Sequence, residues 1–145
     1  MLGVIGGMGP AATADFFAKL IEETPARRDE HHIPTLIVSD PRLPGRPAAI
    51  LEGGPSPLPA LRAIRDKLLA AGATMLAMPC NTAHYWIDDL VRDCPVPFVS
   101  IVEASCAAVR TMAGPRSRIG LIGTRATLAA GIFDRRLQAD GYSVV

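Results

Sequence analysis

Four short apolar runs, LGVI (2–5), PTLIVSD (34–40), ATMLAM (73–78) and VPFVSIV (96–102), are separated by stretches with helical spacing or by proline and glycine. This alternation constrains the fold more than any other feature of the chain. A strand buried on both faces reads as an unbroken apolar run, and parallel strands need a crossover between them, usually a helix. The expected class is therefore α/β: a parallel sheet flanked by helices. Pro10 opens a helix that runs to about Glu23 and is ended by Pro25. A second helix covers 58–71 with Gly72 as its stop, a third covers 81–93, and a fourth runs from about 103 to 113 before Gly114-Pro115. Residues 41–57 are rich in proline and glycine and read as a long ordered loop without secondary structure.

The pattern then starts again. GVIG at 3–6 returns as GLIG at 120–123, an offset of 117 residues, and MGPAATADFF after the first corresponds to TRATLAAGIF after the second. Both read as strand, tight turn, small Thr/Ala-rich helix entry and aromatic. The expectation is one full α/β domain over 1–114 and the beginning of a second, pseudo-symmetric one over 115–145, with YSVV as its next strand. On this reading the chain holds only the opening of that second domain.

Composition bounds the partners. Fifteen basic against fourteen acidic residues leave a net charge of +1, so no global field recruits nucleic acid or an anionic membrane. The densest basic patches, Arg27-Arg28 and Arg135-Arg136, are pairs that suit solvated helix faces. Three cysteines without disulfide or metal-ligand spacing fit reduced thiols, and no apolar run approaches the roughly 18 residues of a membrane span. With no basic stretch ahead of the first apolar residues, the expected location is the cytoplasm.

Ligands of open parallel sheets bind beyond the carboxyl ends of the strands. Three segments collect there: Gly6-Gly7-Met8-Gly9, the 41–57 loop, and Pro79-Cys80-Asn81-Thr82. The glycine turn is open to three readings: a dinucleotide fingerprint, a small-anion seat at a helix N-terminus, or a plain tight turn. The fingerprint is the weakest, because Asp40 ends the second strand about 31 residues after Gly9 rather than the usual spacing of about 20. Cys80 falls past the end of an apolar run and just ahead of a helix, where the helix dipole favours a thiolate. That placement suits a nucleophile or proton carrier better than a core cysteine. Asn81 and Thr82 beside it can cap the helix or donate to a carboxylate. Cys94 belongs to the far end of that helix, and Cys106 to an Ala/Val packing pattern. His31-His32 reads as a solvated pair, and His84 as a helix-surface residue more than an acid/base at the site mouth.

GVIGGMGPAAT, DPRLPGRPAAIL and MPCNTAH together resemble the aspartate/glutamate racemase family, the cofactor-independent amino acid racemases. The resemblance implies two similar α/β domains facing each other across a cleft, with one cysteine from each flanking the substrate α-carbon. By motif, Cys80 is similar to the first of these, and Asn81 and Thr82 to positions that hold the substrate carboxylate. Arg46 resembles a loop arginine that pairs with a second carboxylate, while Met8 and Thr124 resemble pocket-lining positions. The resemblance implies no cofactor, no metal, and a small amino acid, aspartate or glutamate, as partner. An open half-molecule would expose apolar surface and tend to associate, a homodimer being one form open to it, and the sequence does not fix the oligomeric state. Racemisation needs a base on one face of the α-carbon and an acid on the other, in a pocket that stabilises the carbanion.

One departure from the family pattern stands out. The second cysteine, expected in a Gly-Cys-Thr segment, is absent, and the repeat offset carried from Cys80 lands at position 197, beyond Val145. The chain is thus expected to carry half of a proton relay and to lack racemase activity by itself. Two other readings compete: a maleate isomerase-like or decarboxylase-like enzyme using one cysteine, and a non-catalytic module that keeps the carboxylate seat.

Overall fold

The structure, a computed structural model, describes residues 1–145 throughout. Strand β1 (Leu2–Gly6) leads to helix α1 (Pro10–Glu23), and strand β2 (Thr35–Ser39) follows it. Helices α2 (Arg46–Leu51) and α3 (Leu58–Ala70) precede strand β3 (Met75–Ala77). A 3₁₀ turn at Thr82–Trp86 runs into helix α4 (Ile87–Val91), then strand β4 (Phe98–Val99) and helix α5 (Ile101–Met112). Strand β5 (Arg118–Ile119), helices α6 (Arg125–Ala130) and α7 (Ile132–Ala139), and strand β6 (Ser143–Val144) complete the chain.

The first four strands form one parallel sheet in the order β2-β1-β3-β4, and β5 pairs with β6 in a separate parallel pair. β1 lies between β2 and β3, and all five of its residues are buried, which is why it reads as apolar and glycine only. Its side chains alternate. Leu2 and Val4 join Phe16 and Leu20 of α1, while Ile5 joins Leu61, Ile64 and Leu68 of α3. Gly3 permits the close approach of α3: a Cβ there would lie 2.8 Å from Leu76 and 3.2 Å from the Cβ of Leu68. A second cluster joins Val102 and Cys106 of α5 to Ala130, Ile132, Leu137 and Tyr142.

Several sequence expectations need correction. Residues 41–57 contain α2: Gly45 sits at its cap, Pro47 falls in its first turn, and Gly53, at φ +68°, follows its end. Ile50 explains why the short helix forms, because it packs against the α5–α7 cluster. The expected strand at 96–102 is confined to Phe98–Val99, since Ser100 caps α5 by accepting from the Glu103 N–H. The helix expected from 103 therefore starts at Ile101. The helix expected over 81–93 opens as a 3₁₀ turn and stays α-helical only over Ile87–Val91. GLIG is not itself strand: β5 precedes it, although the Leu121 N–H still donates to the Val145 carbonyl at 3.1 Å.

Candidate active site

The glycine turn after β1 is built by contact. Gly7 has φ +93°, and a Cβ there would lie 2.4 Å from the backbone of Asp40 at the end of β2. The buried Thr13 hydroxyl accepts from the Gly7 N–H at 3.0 Å and donates to the Gly9 carbonyl at 3.2 Å. One donor of the turn, the Gly7 N–H, is therefore spent inside the protein, which tightens the turn. Its outcome is to fix Met8, which is buried, at the carboxyl edge of the sheet.

Cys80 leaves β3 through Met78-Pro79 and stands at that same edge, half-buried, with its N–H donating to the Met78 carbonyl at 2.8 Å. Asn81 takes the helix-capping position, yet its side chain caps nothing and is exposed. Thr82 points elsewhere: its hydroxyl lies 2.7 Å from that of Thr127, which in turn lies 2.9 Å from that of Thr124. Thr124 caps α6 by accepting from the Thr127 N–H at 3.2 Å. This chain of three hydroxyls ties the Cys80 loop to the helix after β5.

Met8, Cys80, Asn81, Thr82 and Thr124 line one cavity of about 500 Å³, together with Thr127, Ile101, Ser105, Leu121, Ile122 and Phe133. No side chain in the lining carries a charge. What the cavity offers is a thiol, a carboxamide and hydroxyls, backed by an apolar wall. Arg46 is not part of the lining; at the start of α2 its Nη1 donates to the Pro44 carbonyl at 3.2 Å. Helix α2 itself packs on α6 and on the 82–86 turn.

Sequence reasoning missed Thr127, Ile101 and Ser105. A signal existed for Thr127, since a Thr-x-x-Thr step at a helix entry places the second hydroxyl near the first. Ile101 was hidden by the overlong fourth strand, while Ser105 falls in the expected helix with no local pattern to mark it. His84 was misplaced: its ring is 2% exposed, with Nδ1 at 2.8 Å from the Cys80 carbonyl and Nε2 accepting from the Ile101 N–H at 3.2 Å. Burial lowers its pKa against a smaller raising effect of the Cys80 bond, so the ring is neutral at pH 7. The other cysteines lie outside the cavity. Cys94 packs on the main core, and Cys106 is buried among α5–α7, where burial first and then Asp140 and Glu103 push its thiol up. No group of three or more His, Cys, Asp or Glu side chains is placed to hold a metal ion.

The family model for Asp/Glu/hydantoin racemases matches residues 5–145. The chain belongs to that family. Among its relatives, the broad specificity amino-acid racemase RacX of Bacillus subtilis is 27% identical over an alignment that covers 100% of this chain and 63% of RacX. An aspartate racemase of Picrophilus torridus superposes with a TM-score of 0.88 at 30% identity, covering 99% of this chain and 61% of that one. An aspartate racemase homologue from Pyrococcus horikoshii gives a TM-score of 0.78 at 28% identity over 99% of this chain and 62% of that one. The chain thus spans about three-fifths of the length of these racemases. The glutamate racemase of Campylobacter jejuni, 19% identical with a TM-score of 0.61, shares the fold. No helix of the chain is long and apolar enough to cross a membrane.

Proposed function

We propose that Cys80 is an acid/base of a cofactor-independent amino acid racemase, acting on the α-proton of aspartate or glutamate. The observation that carries this reading is the convergence of Cys80, Asn81, Thr82 and Thr124 on one uncharged cavity of about 500 Å³, within the range of small-ligand sites. The substrate carboxylate is received by the carboxamide of Asn81 and the hydroxyl of Thr82, whose oxygen accepts from Thr127 as Thr127 accepts from Thr124, leaving the Thr82 proton free. Met8 and Ile101 exclude water from one side, which strengthens each hydrogen bond to the charge that develops on the carboxylate as the α-proton leaves. The thiolate of Cys80 takes that proton, the C–H electron pair passes into the carboxylate-stabilised carbanion, and the thiol returns a proton to the same face. Inversion needs a second acid/base on the opposite face, supplied in this reading by the second of two similar domains, 115–145 being its beginning. One acid/base acting alone exchanges the α-proton with retention; racemisation needs both.

Arg46 receives the side-chain carboxylate after releasing the Pro44 carbonyl. A guanidinium suits that task because its planar fork binds a carboxylate through two parallel bonds. The direct test is protection of the thiol. Millimolar aspartate or glutamate should slow iodoacetamide alkylation of Cys80, measured by peptide mass spectrometry, while leaving Cys94 unaffected. Equal alkylation of Cys80 with and without either amino acid would sink the substrate reading. Arg46→Gln should weaken protection by these two about tenfold, as loss of a charge-assisted pair does, and leave protection by alanine unchanged.

A further inference from the structure

We infer that His84 is a positioning residue for Cys80, a neutral brace that ties the cysteine loop to the first turn of α5. The inference rests on the reading of Cys80 as the acid/base and adds a residue that never meets the substrate, since His84 is absent from the cavity lining.

The hydrogen bonds assign the tautomer. A backbone N–H can only donate, so Nε2, 3.2 Å from the Ile101 nitrogen, is the unprotonated acceptor. The ring proton is then on Nδ1, which donates to the Cys80 carbonyl at 2.8 Å. Phe98 of β4 meets the ring edge-on at 6.0 Å and 75°, which fixes its plane. One imidazole therefore spans the loop that carries Cys80 and the helix whose Ile101 and Ser105 face the same cavity. Moving either end shifts the sulfur against the groups that hold the carboxylate.

The brace works only when neutral. Protonation would set an Nε2–H against the Ile101 N–H and bury a charge. Behind the ring, a separate cavity of about 330 Å³ is lined by Tyr85, Asp88 of α4, Glu103 of α5, and Arg135 and Arg136 of α7. Glu103 is 2.9 Å from Arg136, whereas the exposed Asp88 has no ion-pair partner; the hydrogen bonds of the ring itself go to the Cys80 carbonyl and the Ile101 N–H, and neither acid takes part in them. The bond between Cys80 and the ring is made by the Cys80 carbonyl.

The test compares Cys80 alkylation by iodoacetate, which carries a carboxylate, with alkylation by iodoacetamide, which does not, in the whole chain. His84→Asn keeps a donor at the Nδ1 position and has no titrating ring; His84→Phe keeps bulk and loses both bonds. Circular dichroism establishes that each variant is folded. The rate ratio of the two reagents should fall about tenfold in His84→Phe, which loses both ends of the brace, and by a smaller factor in His84→Asn, which keeps the Cys80 end and loses the Ile101 end. On acidification below the ordinary imidazole range, the wild-type ratio should drop while that of His84→Asn does not. The ¹⁵N shifts of the wild-type ring should report a proton on Nδ1. A protonated Nε2, or a folded His84→Phe with unchanged Cys80 rates toward both reagents, would overturn the inference. A wild-type ratio no higher than that of a free thiol counts instead against the carboxylate reading, and His84 is then judged by the ring shifts and the iodoacetamide rate.

Discussion

Thr13 carries the glycine turn on a single hydroxyl, which gives the sharpest stability prediction at the residue scale. Thr13→Val keeps the shape but orphans the Gly7 N–H, so it should cost about 1–3 kcal/mol in urea unfolding, while Thr13→Ser should cost less. Gly7→Ala adds a Cβ against the Asp40 backbone at a positive φ, and should cost at least about 1–3 kcal/mol from the backbone alone. The thiols differ in kind. Cys106 is 1% exposed with its thiol pushed up, so in the folded chain it should resist iodoacetamide while Cys80 reacts. The cysteine, its two neighbours, Met8 and Thr124 were legible because each lies within a few positions of a strand end. Nothing in the local pattern of His84 separates a buried brace from a surface histidine; that distinction lies in β4 and α5, which the chain reaches 14 or more residues later.

At the scale of elements, the order of strands and helices followed from hydrophobic periodicity, while boundaries failed wherever tertiary contact decides them. β4 reads as seven residues and pairs over two, because the Ser100 cap diverts the chain into α5. α2 was hidden by flanking prolines and glycines, yet one of those prolines occupies a first turn and Ile50 anchors the helix from outside. The α3–sheet contact should dominate stability: Leu61 and Leu76 are fully buried, and either one changed to Ala should lose about 2–5 kcal/mol in denaturant unfolding. The end of β2 adds a pH effect. The side-chain hydrogen bond from Arg42, then its backbone N–H, lower the Asp40 carboxyl from 3.8 to about 2. A depressed carboxyl contributes stability that is full above about pH 4 and lost as pH falls through about 2. The gain is small because the Arg42 partner is largely exposed, and Asp40→Asn should abolish that acid step.

For the whole molecule, the two sheets are joined at the site by the Thr82–Thr127–Thr124 hydroxyls and by α2 packed on α6. The repeated strand–turn–helix motif hinted at this arrangement, but not at which hydroxyls would meet. His84 links the site to overall stability. Its pKa lies below the 6.5 of a free imidazole, so the folded state binds fewer protons than the unfolded one near that pH. Stability should be full above about 6.5 and fall with acidification through the lowered pKa, a limb that His84→Asn lacks. The central claim is that the Cys80 sulfur moves a proton at an α-carbon. Proton NMR of each enantiomer of aspartate and glutamate in D₂O with the chain measures this directly. Deuterium should enter the α-position of one hand with retention, and Cys80→Ala should slow the exchange by about 10²–10⁴. Exchange undiminished in Cys80→Ala, or none above the uncatalysed rate with wild type, would contradict the account.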